Sequence, residues 1–162
     1  MGNSKRRDVP RFETPLIETH CHLDYLDADG LAATLAQSAT AGIERIITIA
    51  VSPANLARVL ELTREAANIW GTQGVHPHEA NTYDDAVEAL VRAQAADDRI
   101  LAIGEIGLDY HYDHADRAVQ RTVFERQLQL AADLDMPVVI HTREADADTR
   151  DILRAFSPLL RR

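Results

Sequence analysis

The sequence predicts an α/β protein, an incomplete TIM (β/α)8 barrel of about five parallel βα units. Three observations carry that prediction. Apolar runs recur at roughly 30-residue spacing, the length of one strand with its crossover helix. Several are near-continuous in Ile and Val, as in parallel strands covered on both faces. Four end in polar signatures: Thr19-His20-Cys21-His22, Gly74-Val75-His76-Pro77-His78, Gly104-Glu105-Ile106-Gly107-Leu108-Asp109 and Ile140-His141-Thr142-Arg143-Glu144. Ionisable groups at the C-terminal ends of several strands are the mark of a barrel face. The competing doubly wound sheet would want a glycine-rich phosphate turn after its first strand, and none is present.

Taken in order, the strands fall at Leu16 to His20, Ile43 to Val51, Ile69 to Val75, Ile100 to Glu105 and Pro137 to His141. After the second strand, Ser52-Pro53 reads as an N-cap followed by a proline at the first helical position, with Leu56, Val59, Leu60 and Thr63 at helical spacing. A clearer helix covers Arg117 to Leu134, with Val119, Val123, Leu130 and Leu134 on one stripe and Phe124, Leu128 and Ala131 beside it. Residues 1–14, with the basic cluster Lys5, Arg6, Arg7 and Arg11, read as a disordered tail, and 15–162 as the partial barrel. A full barrel takes about 250 residues, so the chain is expected to be a truncated form, with open sheet edges that invite self-association.

Composition narrows the function. With 26 acidic against 17 basic residues the formal charge is -9, which argues against a broad basic groove and a stable nucleic-acid complex. The single cysteine, Cys21, forms no internal disulfide, and no apolar run is long enough for a signal segment or membrane span, so a cytoplasmic location without a membrane partner is the expectation.

Side chains alternate along a strand, so His20 and His22 project to one face while Cys21 points away, and two imidazoles at that spacing can grip one ion. Alternation also groups Leu101, Ile103 and Glu105, setting a carboxylate among barrel-filling residues where it needs a cation, either a metal or an Arg or Lys. His141 shares its face with Val139 and Arg143, a metal ligand beside a phosphate clamp; the alternatives are a core histidine at His141 and an ion pair of Arg143 with Glu144 or Asp146. His76 and His78 could ligate metal, bind an anionic substrate or cap the loop, and substrate binding is the reading taken. His111 and His114, among Asp113 and Asp116, are expected in solvent.

In these residues, from about Leu16 to Asp148, the chain resembles the TatD family of metal-dependent hydrolases and deoxyribonucleases, within the amidohydrolase-like barrels. The resemblance implies that His20 and His22 ligate a first divalent ion, that Glu105 bridges to a second, and that His141 ligates the second. It implies hydrolysis of phosphodiester bonds in DNA with two ions, Mg first, while the histidine-rich donor set also admits Mn or Zn. On the reading of the residues themselves, Glu105 and Arg143 are catalytic and His76, His78 and Arg143 bind substrate. The family also draws a His and an Asp from later strands, and neither stretch occurs here, so impaired activity is expected. Two other readings stay open: an amide or ester hydrolase of the wider superfamily, and a non-catalytic module that keeps a relic half-site.

Overall fold

The central element is one parallel sheet of five strands: β1 (Leu16–Cys21), β2 (Ile43–Thr48), β3 (Ile69–Gln73), β4 (Ile100–Asp109) and β5 (Val138–Arg143). The computed structural model describes residues 10–160. Helices α1 (Ala28–Ala41), α2 (Leu56–Glu65), α3 (Asp85–Gln94), α4 (Arg117–Asp133) and α5 (Asp146–Phe156) alternate with the strands. Strand order is β1-β2-β3-β4-β5 and every pairing is parallel. A strictly sequential order has no point at which the winding reverses, so this is an incomplete barrel and not a doubly wound sheet. No helix among the described residues is long and apolar enough to cross a membrane.

Boundaries moved where a side chain, not the apolar pattern, decides them. Helix α2 starts at Leu56, not after Ser52-Pro53, because the Asn55 side-chain oxygen accepts the backbone N–H groups of Val51 and Ser52, both at 3.1 Å. That bonding makes the Ser-Pro segment a turn. Strand β4 runs on to Asp109, beyond the expected Glu105, and β2 and β3 stop at Thr48 and Gln73. Where β2 and β3 stop, hydroxyls replace ladder partners: Thr48 accepts from Leu23 N–H at 3.2 Å and Thr72 from Ala50 N–H at 3.3 Å. Of the expected tail, residues 1–9 lie outside the described residues, and the Phe12 N–H donates to the Ala41 carbonyl at 3.1 Å.

The apolar stripe of α4 buries Phe124, Leu128, Leu130 and Ala131 against Ile103, Ile106 and Leu108 of β4. Its other apolar residues, Val119 and Val123, pack with Val75, Ala80, Tyr83 and Ala115 in a separate cluster. Leu101, expected among the barrel-filling residues, is 40% exposed. Five strands do not enclose their concave side, so an inward residue near a strand start keeps contact with water.

Two glutamines of α4 also reach the sheet. Gln127 accepts the Val75 N–H at 2.8 Å and donates to the Val75 carbonyl at 2.9 Å. Gln120 accepts the Asp109 N–H at 2.8 Å and donates to the carbonyls of Asp109 (3.0 Å) and Ala115 (2.9 Å). Each amide imitates a strand neighbour at a strand end, so these buried peptide groups stay paired.

Candidate active site

The polar signatures meet above the C-terminal ends of β1, β3, β4 and β5. Glu105 is central. Its register is irregular: the β4–β5 ladder slips between Ile103 and Ile106, and the Glu105 N–H bonds to the Ala50 carbonyl at 2.9 Å. Close approach of backbones permits this, since a Cβ on Gly74 would come within 2.8 Å of Gly104 backbone atoms. The carboxylate thus faces β1 and β5 at once. Oε2 lies 3.3 Å from His20 Nε2 and Oε1 lies 3.2 Å from His141 Nδ1. Flat parallel strands would hold the first and fifth about 19 Å apart, so a single carboxylate touching both records the curl of the sheet.

Two groups of three ligand-type residues share Glu105: His20, His22 and Glu105, and His76, Glu105 and His141, with ligand atoms within 4.8 Å of one another in each group. His22 Nδ1 is 3.1 Å from the Ile49 carbonyl oxygen. A carbonyl only accepts, so this nitrogen carries the proton and Nε2 keeps its lone pair, the tautomer a ligand needs. His76 is arranged the other way. Its Nδ1 accepts the His78 backbone N–H at 3.1 Å, which leaves a neutral ring with its proton on Nε2, a donor and not a ligand. Burial, followed by the neighbouring His141, pushes His76 down to about 4, so it is neutral near pH 7. His76 therefore caps the loop, and its ring lies beside His141, centroids 4.3 Å apart.

His78 does not face the cluster's carboxylate. Its Nε2 lies 2.9 Å from Asp109 Oδ2, the same oxygen that sits 3.0 Å from His141 Nε2. Asp109 is fully buried, and its Oδ1 accepts the N–H groups of His111 (3.0 Å) and Tyr112 (2.9 Å). Burial raises its pKa, but the Tyr112 N–H and the two imidazoles outweigh that and hold it well below the usual carboxylate range. Asp109 was not among the expected site residues. The signal was available, because positions 105, 107 and 109 share parity on a strand that runs two turns of the pleat further than expected.

His141 is pinned between two carboxylates, Glu105 on Nδ1 and Asp109 on Nε2. The Glu105 bond, opposed by burial and helped by Asp109, raises its pKa. Glu105 is pushed up by burial but more strongly down by the His141 bond and the surrounding imidazoles, and its net shift is downward. Three imidazoles around a shared carboxylate suit divalent ions of the Mg, Mn and Zn kind. A His141 that ligates through Nδ1 while Asp109 holds Nε2–H is the carboxylate-backed arrangement that orients metal-bound imidazoles.

Arg143 is exposed, with its guanidinium carbon 4.6 Å from the Tyr112 ring centroid. His111 and His114 are exposed as expected, with His111 Nδ1 2.7 Å from a Glu144 carboxylate oxygen. A cleft of about 290 Å³ opens among His22, Tyr25, Val51, His76, His78, Glu79 and Glu105.

An open parallel barrel with imidazoles and a shared carboxylate at its strand ends defines a metal-dependent hydrolase architecture. The chain belongs to the family described as TatD related DNase, whose profile matches residues 17–160. It is 32% identical over 141 residues to the uncharacterized metal-dependent hydrolase YabD of Bacillus subtilis (strain 168), covering 86% of this chain and 55% of that protein. It is 38% identical over 113 residues to the 3'-5' ssDNA/RNA exonuclease TatD of Cronobacter turicensis, covering 70% of this chain and 43% of that one. The crystal structure of the TatD homologue YJJV from Escherichia coli K12 superposes with a TM-score of 0.81 at 30% identity, over 86% of this chain and 55% of that chain. The chain thus spans about half the length of these relatives.

Proposed function

We propose that the protein takes part in metal-dependent hydrolysis of phosphodiester bonds in single-stranded DNA or RNA, with DNA as the first substrate to test. The observation that carries this is Glu105, whose two carboxylate oxygens meet His20 on one side and His141 on the other. His20 and His22 with Glu105 would hold one divalent ion, and Glu105 with His141 would hold a second, Mg first and Mn or Zn as alternatives. Bound ions would supply an activated water and charge neutralisation at the phosphoryl oxygens.

The residues of the chain do the rest. The Ile49 carbonyl fixes the His22 tautomer and Asp109 orients His141. His76, held neutral with its proton on Nε2, donates to a non-bridging phosphate oxygen. Arg143, exposed at the end of β5, neutralises charge on a neighbouring phosphate, and His78 acts chiefly by bracing Asp109. Water gives up a proton to solvent as it adds to phosphorus, the bond from phosphorus to the leaving oxygen breaks, and that oxygen takes up a proton from solvent. The printed names of relatives that act on ssDNA and RNA support this substrate class.

The test is cleavage of single-stranded DNA and RNA by the purified chain with Mg or Mn, beside Glu105→Gln. Metal-dependent cleavage that disappears in the variant is the expected result. Cleavage that survives in Glu105→Gln, or no cleavage with either metal, would overturn the reading.

A further inference from the structure

Two tyrosines stand in water beside the Glu105 cluster, Tyr25 at 69% and Tyr112 at 50% exposure. Single exposed aromatics are common, but these two are fixed by the site itself. The Tyr25 ring stacks on His22, centroids 5.2 Å apart and planes at 17°, and it lines the cleft with His76, His78 and Glu105. One face rests on an imidazole of the first ligand group, and the rest of this largely exposed ring faces solvent. Tyr112 lies beyond the other end of the cluster. It meets His78 edge-on at 5.5 Å and lies nearly parallel to the exposed His114 at 5.8 Å. Its backbone N–H is tied to Asp109, and the Arg143 guanidinium covers its ring. Among the described residues no carboxylate forms a salt bridge with Arg143, which leaves its charge for a ligand.

Building on the phosphodiester reading, we propose that Tyr25 is a base-stacking platform that holds the nucleotide next to the phosphate at the Glu105 cluster. A chain of net charge -9 has no broad field to gather phosphates, so affinity for a polynucleotide has to come from local contacts. A fixed, flat ring with an open face recognises an unpaired base of any identity. A duplex hides its base faces, so the same ring selects single strands. Tyr112, covered by Arg143 and parallel to His114, has no comparable free face and serves to hold the Arg143 charge beside the cluster.

The experiment compares binding of an oligothymidylate and of an abasic oligomer of equal length, both phosphorothioate-linked to resist cleavage, by fluorescence anisotropy with Mn. Tyr25→Ala should weaken oligothymidylate binding by roughly 5- to 150-fold, the range for loss of one stacked base. Abasic binding should stay within about twofold, and Tyr25→Phe should restore the parent affinity. Tyr25 is exposed, so its replacement removes little buried surface. Equal weakening on both oligomers would assign the ring a structural or phosphate-binding role and overturn the proposal, as would an alanine variant that binds like the parent. Cleavage of unmodified oligothymidylate, lost in Glu105→Gln, reports on the phosphodiester reading separately. A chain that cleaves but whose Tyr25→Ala variant binds normally loses the platform alone.

Discussion

Glu105→Gln removes one charge and one ligand oxygen from a carboxylate that touches His20 at 3.3 Å and His141 at 3.2 Å. The amide keeps the shape, so the β4 backbone and its bond to Ala50 should stay in place. Loss of a group that merely supports a ligand costs about 10- to 100-fold in metal affinity. A ligand shared by two positions should cost at least about 100-fold at each, or about 2.8 kcal/mol per ion. His22→Ala, which touches only the first group, should weaken one ion and spare the other. Calorimetric titration with Mn should show two sites in the parent, one in His22→Ala and none measurable in Glu105→Gln. Melting gives an independent readout, since a ligand bound only by the folded state raises its stability. The parent melting temperature should rise with Mn and that of Glu105→Gln should not. If Glu105→Gln kept two sites with near-parent affinity, or lost only one, Glu105 would not bridge. The metal-free protein adds a pH test. The pKa of Glu105 is depressed, so its stabilising contribution is present above the unfolded carboxylate value, about 4.3, and is lost as pH falls through the lower folded value. Glu105→Gln should therefore show a shallower acid loss of stability than the parent.

Asp109→Asn leaves His78 and His141 without their shared anionic acceptor, and should lower metal affinity about 10- to 100-fold while the fold persists; unchanged calorimetry would remove Asp109 from the site. Gln127→Leu strands the buried N–H and carbonyl of Val75, and should cost about 2–6 kcal/mol in urea melts at roughly 1–3 kcal/mol per unpaired group; a loss under about 1 kcal/mol would mean that water replaces the amide. Burial, helped by Glu18 and Asp24, pushes the Cys21 thiol up to about 11, so at pH 8 its alkylation in the metal-free protein should run about 200-fold slower than that of a free thiol of pKa about 8.5. Labelling at the free-thiol rate would place Cys21 in a different environment.

The ~30-residue repeat of Ile- and Val-rich runs was enough to fix strand number and parallel order, because each unit must bury a strand on both faces and return through a helix. Boundaries escaped that logic where side chains rule the backbone, as Asn55 does before α2 and Thr48 and Thr72 do at strand ends. Parity placed Glu105 on the inner side, but nothing in the run Ala102-Ile103-Gly104-Glu105 announces a register slip that sends its N–H to Ala50. His76 shows the limit most clearly. Its residue type allowed a ligand, a donor or a cap, and only the bond from His78 selects the tautomer. Tyr25 and Tyr112 carried no signal, since an aromatic's exposure depends on which rings the fold sets beside it.

Helix α4 acts as a gauge bar for the site. Gln120 and Gln127 stand two turns apart, about 10.5 Å along the axis, and each locks a strand end, one next to His76 and the other at Asp109 itself. The distance between the donor imidazole and the buried carboxylate is therefore stored in an outer helix and not in the loops that carry them. Loop residues can drift in sequence without detuning the site. One residue inserted between the two glutamines would rotate one amide by roughly 100° and uncouple His76 from Asp109, although no residue of the cleft had changed.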